Sequence, residues 1–121
     1  MKKVYLAIPY TGIEESSFEQ ANEAAAIILN KNINVFSPIS HCHTIAKEHK
    51  LPGTWNFWEK VDYQFIDFSN EVWVLIPKEG EEKIKESVGV MAEIKYAKNT
   101  GKPVYFIKVE QKDITEVKLE L

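Results

Sequence analysis

The run Ser87-Val88-Gly89-Val90-Met91-Ala92-Glu93 places a carboxylate where chemistry is possible. On a helix, Val90, Glu93, Ile94 and Ala97 share one stripe at i, i+3, i+4 and i+7, so Glu93 falls among core-facing residues. Burying a carboxylate is costly unless it is paired or used. Either Glu93 borders the stripe and reaches solvent, or it is held inward for a purpose. Ser87 suits an N-cap, and Gly89 allows the first turn's backbone to come close to a ligand. Free N–H groups at such a helix start favour an anion or a cluster of sugar hydroxyls. The other versatile cluster is His41-Cys42-His43, which can offer two metal ligands from an extended segment. A structural zinc needs four ligands and a catalytic one three. Only His49 remains, in a different local frame, so no metal is expected. His41 or His43 is instead read as a hydrogen-bond donor at a pocket border, or as the cap of the short helix that follows. Cys42 is read as a small, buried or half-buried residue without a redox role.

Four short apolar runs must position these groups. "KVYLAI" (3–8), "INVFSP" (33–38), "EVWVLIP" (71–77) and "KPVYFIKV" (102–109) read as strands. Pro38 is expected to end the second of them. Ser16-Ser17-Phe18-Glu19 has the form of a capping box. Phe18, Ala21, Ala25, Ile28 and Leu29 follow at helical spacing, which predicts a helix from about Ser16 to Asn30. Further helices are expected over Trp55–Phe68 and Ser87–Asn99, with a short helix and a loop between His41 and Gly53. "KEGEEKIKE" mixes both charges and reads as a solvated loop and helix start. The tail "DITEVKLEL" alternates and is either an edge strand or a docking arm. Unbroken apolar strands alternating with helices predict an α/β fold, doubly wound and flavodoxin- or Rossmann-like. Its mostly parallel sheet has four or five strands in the order 2-1-3-4, with the tail as a possible fifth. Ligands of such sheets bind at the strands' C-terminal edge. The segments after the first three strands hold many of the versatile side chains.

The chain has 121 residues, 45% hydrophobic and 27% charged, which suits one globular domain over 1–121. A net charge of −3 with no isolated Lys/Arg cluster argues against a nucleic-acid polymer as partner. No apolar stretch approaches membrane-spanning length, and the N-terminus turns quickly into a strand, so neither a membrane nor a targeting segment is expected. A lone cysteine forms no internal disulfide, which fits a reducing cytoplasm.

Ser87-x-Gly89-Val90-x-x-Glu93 followed by "GKPV" resembles the nucleoside 2-deoxyribosyltransferase superfamily. The nearest motif match is its branch of 2′-deoxynucleoside 5′-phosphate N-hydrolases. The opening strand "VYLAIPY", an aspartate on the helix before the third strand, and the order of elements extend the resemblance from Lys3 to Ile107. It implies a flavodoxin-like fold that cleaves an N-glycosidic bond, with Glu93 as the nucleophile at the anomeric carbon. Departure of the base builds oxocarbenium character, which a carboxylate can trap while a second acid protonates the leaving group. Asp62 matches the superfamily's aspartate and is the candidate for that acid. Its other reading is a surface charge on a helix whose core side is Val61, Phe65 and Phe68. Asp67 cannot share its face.

Aromatic rings stack on nucleobases, and Trp55, Phe57 and Trp58 cluster just before Asp62. Trp58, one turn before Asp62, is the candidate pocket wall, with Pro9 and Tyr10 opposite. Tyr5, inside the first strand, and Trp73, in the third, read as core packing. Ser87 stands where many transferases carry an aspartate, which suits a phosphate at the helix start. The loop "IPYTGIEESS", however, lacks the glycine- and arginine-rich sequence of the nucleotide hydrolases and carries Glu14 and Glu15. A bound 5′-phosphate would rely on Ser87, Gly89 and N–H groups near Thr11 and Gly12. The expected ligand is a nucleoside or nucleotide, without a cofactor. No Ser/Thr and Gly run follows the first strand to hold a flavin phosphate. The resemblance also implies a pocket completed by a second subunit in a homodimer or higher homo-oligomer. The rival from another class is a non-catalytic module of the same fold that senses a nucleotide derivative.

Overall fold

Val4, Tyr5, Leu6 and Ala7 are all buried, so β1 (Lys3–Ala7) is covered on both faces, as its unbroken apolar run predicts. The computed structural model describes residues 1–121. After β1 come α1 (Glu14–Asn30), β2 (Asn34–Phe36), α2 (Pro38–Glu48), α3 (Trp55–Phe68) and β3 (Glu71–Leu75). Then follow α4 (Glu82–Glu86), α5 (Val88–Asn99), β4 (Val104–Glu110) and β5 (Asp113–Val117). The strands form one sheet in the order β2-β1-β3-β4-β5. All neighbours are parallel except β4 and β5. This is the expected doubly wound α/β arrangement, with the tail as its edge strand rather than an arm.

The pleat of β1 divides the core. Tyr5 and Ala7 join Ile66 of α3 and Val90, Ile94 and Ala97 of α5 on one face. Leu6 and Ile8 join Ala21, Ala24 and Ile28 of α1 on the other. β4 and β5 are linked by Gln111 and Lys112 alone, both with positive φ (50° and 61°), as a tight two-residue hairpin of the right twist requires.

Three local expectations are corrected. The helix α1 starts at Glu14 and has no side-chain cap. Ser17 N–H already donates to the Ile13 carbonyl at 2.8 Å, so Ser16 lies inside the first turn and cannot cap it. Its hydroxyl donates instead to Glu79 Oε2 at 2.6 Å. The buried side of α1 is Ser17, Ala21, Ala24 and Ile28, which leaves Leu29 54% exposed. Small residues on that stripe let the helix lie close to the sheet. Pro38 opens α2 rather than merely ending a strand: Ser37 is the N-cap, accepting from Ser40 N–H at 3.3 Å. A proline at the first helical position loses no hydrogen bond.

Candidate active site

The helix α5 begins with Ser87 Oγ accepting from Val90 N–H at 3.1 Å, so the serine is the N-cap that the sequence predicts. The buried residues of α5 are Val90, Glu93, Ile94 and Ala97. Glu93 is only 5% exposed, so it does not reach solvent along the stripe's border. On α3 the buried residues are Asp62 and Ile66. Asp62 is 8% exposed, whereas Val61 and Phe68 face outward, which overturns the surface-charge reading of that helix. Asp67 lies on the outer side and accepts from Tyr96 Oη at 2.7 Å.

The two inward carboxyls meet. Asp62 and Glu93 lie close enough for each to shift the other's protonation, and the Tyr5 hydroxyl donates to Glu93 Oε2. Burial raises the Asp62 carboxyl to about 6, against the pull of the neighbouring Glu93 and Tyr5. Burial also raises Glu93 well above the usual carboxylate range, and the charge of Asp62 adds to this, while the Tyr5 hydroxyl opposes it. Burial likewise raises Tyr5, which keeps it a donor. Near neutral pH the pair therefore holds one proton between two carboxyls, giving an acid and an anion side by side. Sequence reasoning missed Tyr5, reading it as core packing. Its side chain is fully buried, yet its hydroxyl serves the carboxyl pair. The available signal was the polar end of a tyrosine in a strand buried on both faces, since a buried hydroxyl needs a partner.

The pair lines a cavity of about 640 Å³ at the C-terminal edge of the sheet. Pro9, Tyr10, Trp58, Ser87 and Gly89 also line it, so these five expected residues gather around Glu93 and Asp62. The Pro9 carbonyl accepts from the buried Ser17 hydroxyl, tying the loop after β1 to α1. Trp58 Nε1 donates to the Pro52 carbonyl at 2.8 Å, fixing its ring. Trp55 is a wall residue that the sequence did not single out. A Cβ on Gly89 would stand 3.2 Å from Trp55 Cε3, so this glycine makes room for an indole of the chain itself. A second cavity of about 440 Å³ adjoins the first. Asp62, Tyr10 and Trp58 line both.

The histidines are placed differently from the expectation. They lie on α2, not on an extended segment, so positions two apart point to different sides. His41 is exposed and lines neither cavity; its Nδ1 is 3.4 Å from Cys42 Sγ. His43 is buried and lines the second cavity only. Its Nδ1 is 2.6 Å from Tyr10 Oη, its Nε2 is 3.3 Å from Glu15 Oε1, and Phe18 stacks on its ring. One anticipated anion donor is already engaged: Gly12 N–H donates to Glu14 Oε2 at 2.7 Å.

A search of curated proteins returned no match. Among solved structures, the chain is similar to a 2-deoxyribosyltransferase from the psychrotolerant bacterium Bacillus psychrosaccharolyticus. The TM-score is 0.59 at 24% identity, over 88% of this chain and 72% of that one. The likeness to the deoxyribosyltransferase superfamily thus holds at the level of fold. A family model described as a domain of unknown function, DUF1937, matches residues 2–109, and the chain belongs to that family.

Proposed function

We propose that this protein cleaves the N-glycosidic bond of a nucleoside or nucleoside 5′-monophosphate, by hydrolysis or by transfer to another base. The observation that carries the reading is the Asp62–Glu93 pair, buried, sharing a proton, steadied by Tyr5 and opening onto a cavity at the sheet's ligand edge. The similar solved structure is that of a 2-deoxyribosyltransferase, and glycosyl transfer is carried here as part of the proposal.

In this mechanism a Glu93 carboxylate oxygen attacks C1′. The C1′–N bond breaks, its electron pair goes to the base nitrogen, and Asp62 supplies the proton. Positive charge developing at C1′ favours the anion on Glu93, as does the Tyr5 hydrogen bond, so the pair's proton moves to Asp62 when it is needed. Water or the nitrogen of an acceptor base then attacks C1′ of the glycosyl ester and gives a proton to Asp62, while the C1′–O bond breaks and its electron pair returns to Glu93 as the free carboxylate. Inverting glycosidases keep their carboxyls roughly 6.5–9.5 Å apart to admit a water. Two carboxyls close enough to perturb each other's protonation leave no room for a water between them, which sets the inverting route aside. The same perturbed pair favours an enzyme over a silent sensor, because two buried carboxyls side by side are costly and a binding site has no need of them.

We extend the proposal to a second copy of the chain packing against the exposed Phe57 and Phe68 of α3 to complete the pocket. Sedimentation over a range of concentrations tests it, and a monomer throughout would dismiss it. For the activity itself, the protein is incubated with mixed nucleosides and monophosphates, with and without an acceptor base, and the products are separated by chromatography. Free base should appear with native protein and not with Glu93→Ala. A ligand that raises the melting temperature without any base release would favour the sensor instead.

A further inference from the structure

The hydrogen bond between Tyr10 and His43 has a direction that the groups behind it impose. Lys47 Nζ lies 2.8 Å from Glu15 Oε1, and this bond holds the Glu15 carboxyl below its usual range. Glu15 is therefore an anion that can only accept. The same oxygen is 3.3 Å from His43 Nε2, so the proton of a neutral imidazole belongs on Nε2. Nδ1 is left as the acceptor, and Tyr10 Oη, 2.6 Å away, must donate to it. Phe18, stacked at 4.4 Å, holds the buried ring in place. With its proton committed, Tyr10 has only lone pairs to offer a ligand.

The two cavities divide the labour. Glu93 lines only the first and His43 only the second, while Asp62 and Tyr10 line both. With a sugar's C1′ beside Glu93 in the first cavity, its base has room in the adjoining second cavity, where Asp62, which lines both, remains within reach to protonate it. Glu14 on that wall is another acceptor, and the amine of Lys47 is engaged by Glu15. We infer that the second cavity takes the base and that Tyr10 reads it as an obligate acceptor, selecting bases with an exocyclic amine (the adenine and cytosine class) over their oxo counterparts. A carbonyl in the same place would set lone pair against lone pair, and a buried polar group left unpaired is what gives such sites their discrimination. This rests on the reading proposed above.

The test is titration calorimetry of the native protein with adenine, hypoxanthine, cytosine and uracil at pH 8. The amine-bearing member of each pair should bind about fivefold or more tighter. Tyr10→Phe should bring that ratio close to one, and Glu15→Gln, whose amide no longer dictates the tautomer, should narrow it. Circular dichroism checks that both variants fold. Equal or tighter binding of the oxo bases overturns the inference alone, as does a preference that survives in Tyr10→Phe. Failure of the folded native protein to bind any of the four overturns both this inference and the activity on which it rests.

Discussion

Asp62 retains its proton to about pH 6 in the folded chain, whereas an unfolded aspartate loses it near 3.8. Between those values the folded state binds more protons than the unfolded one, so stability falls as pH rises through the window and stays lower above it. The size follows from the shift, up to about 3 kcal/mol. Asp62→Asn should remove the penalty: urea melts at pH 7 should show a variant more stable than native, with the gap closing near pH 4. The same variant should lose activity, the usual trade at a site kept for chemistry. Base release by native protein should decline below about pH 6, where Asp62 takes up the pair's second proton and leaves no anion to attack. A rate that held steady down to pH 4.5 would contradict this. Glu93→Gln should cut base release by roughly three orders of magnitude while the melting temperature holds or rises. Glu93 was legible because charge at a core-facing helical position is an anomaly that spacing exposes. Asp62 was reached only through the family resemblance, the spacing of its helix having put Val61, Phe65 and Phe68 inward instead. Tyr5 was not legible, since a tyrosine in a strand usually needs only packing to explain it.

Helix starts do much of the positioning. Ser87 fixes where α5 begins, and Ser87→Ala should lower stability by about 1 kcal/mol in chemical denaturation. Gly89→Ala is a sharper probe. The added methyl meets the Trp55 ring at 3.2 Å, but that ring lines a cavity and can swing into it. Better helix propensity should offset the crowding, leaving stability within about 1 kcal/mol of native. Substrate KM should rise, and indole fluorescence should report the shifted ring. The limits of α5 were readable because its Ser87 cap and its apolar spacing agreed. Those of α3 were also as expected, although that helix has no side-chain cap and buries Asp62 and Ile66 rather than Val61 and Phe68. α2 was misjudged, since a proline after a short apolar run is compatible both with a strand's end and with a helix's first residue. That error carried His41 and His43 to the wrong geometry, because side chains two apart align on a strand and diverge on a helix.

Across the whole molecule, charge bears on the choice of substrate. The chain has fifteen basic residues, all of them lysine, and a net charge of −3. The wall of the first cavity carries one cation, Lys83, against Asp62, Glu86 and Glu93. Without a guanidinium fork, a phosphate there meets more repulsion than attraction. KM should therefore be about tenfold or more higher for a 5′-monophosphate than for its nucleoside, and added salt should narrow the difference. Equal KM values would place the phosphate on donors outside this wall. The sheet order was legible because parallel crossovers have one hand, whereas the pairing of far-apart side chains was not, since no local pattern encodes it. Tyr5, Asp62 and Glu93 come from β1, α3 and α5, and 88 positions separate the first from the last. Such a cluster exists only once the chain's distant parts have docked. In a refolding experiment, recovery of turnover should thus trail the return of helical signal, making catalysis itself a gauge of the final assembly step.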